Sequence, residues 1–337
     1  MVLSMKTMIR SLSLRGLLLG MLFTPALAQE ADKEEEWEPK RIGEMDYLSL
    51  EQVAEFYKFG SVKRDGPDLL LTAEKDNGKA TLRAKFSVGS TDCQISGVNL
   101  ILEQEVKEAE GNPFISRSDL GRFIDPILRP NRIKNASNFN TVVLDPAFGG
   151  KDQGPQTELG SAAQHTLAIA MLCRDELDKR GFKVVMTRTD DQDLPVVDRV
   201  ALANAVEGEA IFISITFGSD AGALSGVGTS ASMPPTDMIA ERGEGMSAAS
   251  LALGVATHGS VLRRLGTNAQ DFGLHGERRS VLKDIRHPSV VVNAGNLAND
   301  YGARLAANDK YRQGVATGLA DGVTKYRQAV TRQAGGQ

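Results

Sequence analysis

The strongest constraint on the fold is a rhythm that starts near residue 139. Short runs suited to strands, at Thr141–Asp145, Lys183–Arg188, Ala210–Ile215 and Ser289–Asn293, are separated by stretches suited to helices. Those stretches lie near Ala162–Arg180, Val196–Ala205, Met246–Leu265 and Lys310–Tyr326. Strands alternating with helices predict an α/β fold built on an open, largely parallel sheet with helices on both faces. Ser219–Glu244 is rich in Gly, Ala and Ser, carries two prolines and reads as a long loop.

Upstream the pattern is different. A short helix (Ser49–Phe56) precedes strand-like runs at Leu69–Thr72, Lys79–Phe86, Gln94–Leu102 and Phe114–Ser116, and a second short helix follows at Ser118–Ile127. Residues 46–130 are thus expected to form a small α+β module, with a linker over 131–138. The phrases YLSLEQVAEF and PFISRSDLGRFIDPIL resemble the copper-amine-oxidase N-terminal-like (stalk) domain. That resemblance implies a binding or spacing role and nothing about copper or oxidation. Residues 29–45 are a charged leader without periodicity, and 328–337 a tail.

The first 28 residues read as a cleaved signal peptide. Lys6, Arg10 and Arg15 form a basic region, Gly16–Phe23 is a short apolar run, and Ala26-Leu27-Ala28 is a small-x-small cleavage signal. The run is far shorter than the ~20 residues that span a bilayer, and residue 29 is Gln rather than a lipid-bearing Cys. The expected location is periplasmic or secreted, with no membrane span. Cleavage removes three positive charges and no negative ones, taking the net charge from −4 to −7. A protein of that charge is a poor match for nucleic-acid phosphates or anionic lipid. Cys93 and Cys173 are the only cysteines, which excludes a disulfide scaffold. Cys173 falls on the apolar side of a helical pattern with Ala170 and Leu177, so a buried free thiol is expected.

Ligands of open α/β sheets bind beyond the carboxyl ends of the strands. The segments to inspect are therefore Asp145–Gly150, Thr216-Phe217-Gly218 and Asn293-Ala294-Gly295. Gly149-Gly150 fits neither phosphate-loop pattern. Here the chain resembles the zinc-dependent N-acetylmuramoyl-L-alanine amidases, which cut the bond between muramic acid and the stem peptide. The matching phrases are VVLDPAFGGKDQGP, LAIAMLCRDELDKRGFKVVMTR, RVALANA, IFISITFGS and VLKDIRHPSVVVNAGNLAN, in family order across residues 139–327. The resemblance implies three zinc ligands and a catalytic Glu. Their positions hold Phe148, Ala162 and Thr216 for the ligands and Asn293 for the Glu.

A catalytic zinc uses three N, O or S ligands plus water. Phe148 and Ala162 have no donor, and the Thr216 hydroxyl is a poor replacement for imidazole. Without the ion, water keeps a pKa near ~15.7 rather than ~7, and the Asn293 amide cannot act as a general base. Ala147, where the family has Gly, suggests a relaxed loop. No catalytic residue is assigned, and no cofactor is expected.

Candidate cleft-lining residues are Asp145, Lys151, Asp152, Glu158, His165, Ser214, Phe217 and His275. Asp145, before a proline, is expected to brace a turn. His165 reads as a partly exposed helix histidine, and His258 and His287 as packing or surface residues. His275 is placed on a loop between glycines, while Lys151, Arg199 and Arg278-Arg279 read as solvated cations. Three readings follow: a degenerate amidase that binds peptidoglycan, its stem peptide or a cell-wall protein; an active amidase with a metal site rearranged around His165, His275, Asp145 or Glu158; or a protein-interaction scaffold.

Overall fold

The computed structural model describes residues 37–331 except 61, 75–79, 134–135, 137, 220–225, 233–243 and 278. The expected signal peptide, most of the charged leader, the last residues of the tail and Arg278 lie outside the described residues.

The chain opens with β1 (Lys40–Ile42), β2 (Met45–Ser49) and α1 (Leu50–Phe56), whose N-cap Ser49 accepts from the Glu51 amide. A meander follows: β3 (Val62–Asp65), β4 (Asp68–Glu74), β5 (Ala80–Ser87), β6 (Asp92–Ile95) and β7 (Val98–Ile101). The single strand read over Gln94–Leu102 is in fact the β6–β7 hairpin. Ser96 and Gly97 turn the chain there with φ of 54° and 81°, a turn that apolar patterning alone does not reveal. Next come β8 (Lys107–Ala109), β9 (Asn112–Ser116), α2 (Arg117–Asp119), a π-helical turn at Leu120–Ile124 and α3 (Asp125–Leu128).

The second half runs β10 (Thr141–Pro146), β11 (Gln156–Thr157), β12 (Gly160–Ser161), α4 (Ala162–Asp178), β13 (Lys183–Met186), α5 (Val196–Asn204) and β14 (Ala210–Gly218). It continues with β15 (Gly226–Ser232), α6 (Glu244–Leu265), β16 (Gln270–Glu277), β17 (Ser289–Asn296), α7 (Asp300–Ala307) and α8 (Asp309–Thr331). Strand β15 lies inside the stretch read as a loop. Its Gly-, Ala- and Ser-rich sequence hides a strand whose pairing is supplied by β16 and β17.

The α/β expectation holds. Strands β13, β10, β14 and β17 are parallel neighbours, and β10, β14 and β17 are buried along nearly their whole length, as parallel strands covered on both faces must be. On one face Val143, Phe212 and Val291 pack with Ala203 of α5, Leu282 and Ile285. The other face is covered by α4 and α6, on which α8 packs, with Ile169, Ala170, Cys173 and Leu177 buried on α4. Both cysteines are buried and free.

The sheet does not stop at the parallel strands. β15 runs antiparallel to β17, β16 pairs with β15, and β16 meets β7 at Leu274↔Leu100, giving an eleven-stranded sheet that takes in the whole meander. Only β1, β2, β8 and β9 form a separate sheet among the upstream strands. Among the described residues no helix is long and apolar enough to cross a membrane.

Helices α6 and α8 approach at backbone distance. A Cβ at Gly318 would lie 2.6 Å from Val261 Cα, and one at Gly322 would lie 2.4 Å from Thr257 Cα. Gly322→Ala should therefore lower stability by about 1–3 kcal/mol through overpacking, although alanine is the better helix former by about 1 kcal/mol. Urea denaturation checks this; an unchanged or higher midpoint would show that the helices separate freely.

Candidate functional site

The carboxyl ends of β10, β14 and β17 meet the first turn of α4. That helix starts where it does because Ser161 and Gln164 form a reciprocal capping box, each side chain bonding the other's backbone amide. Ala162 is thus the first helical residue, fully buried. Thr216 and Asn293 are register partners on β14 and β17.

The loop after β10 is held by two buried arginines. Arg199 of α5 donates from Nη1 to Asp145 Oδ1 and to the Pro146 carbonyl, both at 2.8 Å, and from Nη2 to the Phe148 carbonyl at 2.6 Å. Arg188 donates from Nε to the Pro146 carbonyl at 2.9 Å and from Nη2 to the Ala147 and Ala163 carbonyls at 3.0 and 2.8 Å. Three consecutive carbonyls are thereby fixed. The Asp145 carboxylate is the counter-charge, and also accepts from Thr187 Oγ1 and Ser214 Oγ, each at 2.7 Å. The Arg199 and Asp145 side chains are only 6% and 2% exposed. The expectation that Arg199 is a solvated cation is corrected: its guanidinium is desolvated, with one hydrogen bond to the Asp145 carboxylate and the rest to the Leu194, Pro146 and Phe148 carbonyls. Arg188, which the sequence did not single out, is among the largest fully buried side chains.

The loop is also strained, not relaxed. Phe148, Gly149 and Gly150 all have positive φ, at 66°, 125° and 61°. A non-glycine residue there costs on the order of 1–2 kcal/mol. Side chains at 149 and 150 would clash with the backbone of Gln192 and Asp193. The Phe148 ring lies against Gly154, where a Cβ would come within 2.8 Å of it.

The candidate residues do not converge. Ser214 is spent on Asp145, and Asp145 on Ser214, Thr187 and Arg199. Asp145 braces side chains around the strand end, whereas a turn was expected. Asp152 and Glu158 are exposed, Asp152 accepting from the Gly154 amide. The Lys151 side chain is 93% exposed, 3.9 Å from Asp193. His165 is 3% exposed, which corrects the partly exposed reading. Its ring stands edge-on to Phe217, itself buried, and neither ring nitrogen has a hydrogen-bond partner among the described residues. Burial, and then the charge of Arg312, lower its pKa below the ordinary imidazole value of 6.5. His275 sits in β16 rather than on a loop, two strands from β17, bonding the Phe272 carbonyl. His258 is buried between Thr229 and Asp271, and His287 is buried.

The side chains at Phe148, Ala162, Thr216 and Asn293 offer a metal ion one hydroxyl and one amide. Asn293 Oδ1 already accepts from the Gly218 and Gly295 amides at 3.2 and 3.1 Å, closing the ends of β14 and β17. Among the described residues, no group of three His, Cys, Asp or Glu side chains is gathered anywhere. This donor set does not fit a zinc ion.

The family model for N-acetylmuramoyl-L-alanine amidase matches residues 142–325, more than half of the chain, and the chain belongs to that family. It is 29% identical over 232 residues to N-acetylmuramoyl-L-alanine amidase AmiA of Escherichia coli (strain K12), covering 58% of this chain and 78% of that protein. It is 27% identical over 252 residues to AmiC of Neisseria meningitidis serogroup B, covering 65% of this chain and 59% of that one. Among solved structures, the N-acetylmuramoyl-L-alanine amidase from Clostridium difficile 630 shares 25% identity, with a TM-score of 0.49 over 56% of this chain and 97% of that chain.

Two outcomes are expected. Arg199→Ala leaves a buried, uncompensated carboxylate and should cost about 3–5 kcal/mol, read as a shift of the urea midpoint. A loss below 1 kcal/mol, on the order of a surface pair, would show that the network is solvated. For His165 the folded pKa lies below 6.5, so the unfolded chain takes up the proton first as pH falls. Stability tied to this residue is present above that value and declines between it and the lower folded pKa. His165→Leu should flatten the fall in midpoint between about pH 7.5 and about pH 5.5, with His287, also lowered by burial, supplying the remaining slope. An unchanged slope would exclude His165.

Proposed function

We propose that this member of the N-acetylmuramoyl-L-alanine amidase family is a secreted or periplasmic cell-wall protein that keeps the amidase fold without its hydrolytic chemistry. It binds peptidoglycan, its stem peptide or a wall protein. The observation that carries this reading is Asn293. At the position of the family's catalytic Glu stands an amide whose oxygen is engaged by two backbone amides. Such a group does not take up a proton, and here it serves as a clip between two strand ends.

The other three family positions support the same reading. Phe148 fills the space over Gly154 with an aromatic ring, Ala162 is a buried methyl, and Thr216 carries a neutral hydroxyl. The residues that a rearranged metal site would need are spread apart: Asp145 is bound in the arginine network, Glu158 faces solvent, and His275 lies two strands away. The basic, apolar and small-residue segments of the first 28 residues support export.

The test is release of free peptide from purified peptidoglycan by the purified protein with excess zinc, alongside co-sedimentation with the same material. No release together with co-sedimentation is the expected result. Sustained release abolished by a chelator would overturn the reading in favour of an active enzyme. Absence of both release and co-sedimentation would overturn wall binding.

A further inference from the structure

The meander half of the large sheet has one covered face and one open face. On β4 to β7 and β16, Leu69, Leu71, Phe86, Ile95, Leu100 and Leu274 are buried, and α6 packs against β7 and β16 on that side. The alternate residues Leu70, Lys85, Gln94, Asn99 and Ile101 are exposed, as the two-residue period of a strand requires. On this open side, where β5, β6 and β7 meet β16, lies a cavity of about 410 Å³, a volume in the range of small-ligand sites.

Its lining is ordered. Phe272 is 37% exposed, and its ring lies on glycine backbone: a Cβ at Gly226 would be 2.6 Å from Phe272 Cε2. Gly226 thus makes room for the aromatic platform. Gln94 donates from Nε2 to Asn99 Oδ1 at 2.9 Å, so both amides are held while the Gln94 carbonyl and the Asn99 NH2 retain bonding capacity. His275 bonds the Phe272 carbonyl through Nε2 at 2.7 Å, which makes Nδ1 an acceptor.

The strong charges are already matched within the protein. Lys85 pairs with Asp68 at 2.6 Å. Asp271 is held by buried His258 at 2.8 Å and by the Gly273 amide at 2.7 Å. What remains for a ligand is an aromatic face, two amides, an imidazole nitrogen and the rim carboxylate of Asp92. Among the described residues that line the cavity, an anion would find no unpaired lysine or arginine. Among the described residues around it, an extended peptide would find strand backbone to pair with only along the short seam between β16 and β7, which already meet at Leu274↔Leu100.

We infer that this cavity is a binding site for an uncharged, amide-bearing saccharide, separate from the degenerate cleft. A sugar ring presents an apolar C–H face to an aromatic platform and hydroxyls to donors and acceptors at its edge. Amide side chains match both the hydroxyls and an acetamido group.

The experiment is isothermal titration of the whole protein with tetra-N-acetylchitotetraose, and in parallel with cellotetraose, which lacks acetamido groups. The expected result is saturable binding of the first and weaker binding of the second. Phe272→Ala should weaken binding about tenfold or more, and Gln94→Ala, at an exposed position, should weaken it with an unchanged urea midpoint. Absence of binding, or binding unaffected by both variants, would overturn the site. Equal affinity for cellotetraose would overturn the acetamido specificity. Co-sedimentation with peptidoglycan that persists while chitotetraose fails to bind would overturn this site alone and leave the proposed wall association standing.

Discussion

Everything at the carboxyl edge of the sheet depends on one buried ion pair, Asp145 with Arg199. Two desolvated arginines and a single carboxylate would be an unstable set on their own, because burying a charge costs several kcal/mol unless it is paired and hydrogen-bonded. The structure meets that cost with carbonyl dipoles. Pro146, Ala147 and Phe148 each turn a C=O toward a guanidinium. That arrangement needs the left-handed conformation at 148–150, and so the network and the loop strain sustain each other. It also ties α4, α5 and the segment after β13 to the end of β10 through one set of bonds.

The same edge shows what holds the fold in place around Phe148, Ala162, Thr216 and Asn293. Its rigidity comes from Asp145, Arg188, Arg199, Ser161 and Gln164, which surround those four residues. Of the four, Asn293 is itself part of the frame, because its oxygen accepts from two backbone amides.

A second junction lies at the far end of the parallel region. β16 meets β7 at one pair of residues, a thin seam for joining two halves of a sheet. Asp271 reinforces it, bonded to His258 on α6, to the Gly273 amide, and to the Asn99 backbone. The upstream strands thus extend the amidase sheet, and the open face they create is where the saccharide cavity sits.

The sequence by itself determined the α/β class, a largely parallel sheet, the approximate place of the helix near Ala162, and the residue types at Phe148, Ala162, Thr216 and Asn293. These follow from local periodicity and from residue identity, neither of which needs a distant partner. Only the tertiary structure decided the fate of the ionisable groups and of the sheet edges. Arg199 and His165 occur in helical patterns that suit a solvated residue equally well; what buries them is Asp145, 54 residues away, and Phe217 on another strand. Likewise, β15 and the seam between β16 and β7 carry no strong strand signal, because their stability resides in neighbours remote along the chain. Burial and strand pairing are long-range properties, and they set whether a charge is a surface group or the keystone of a loop.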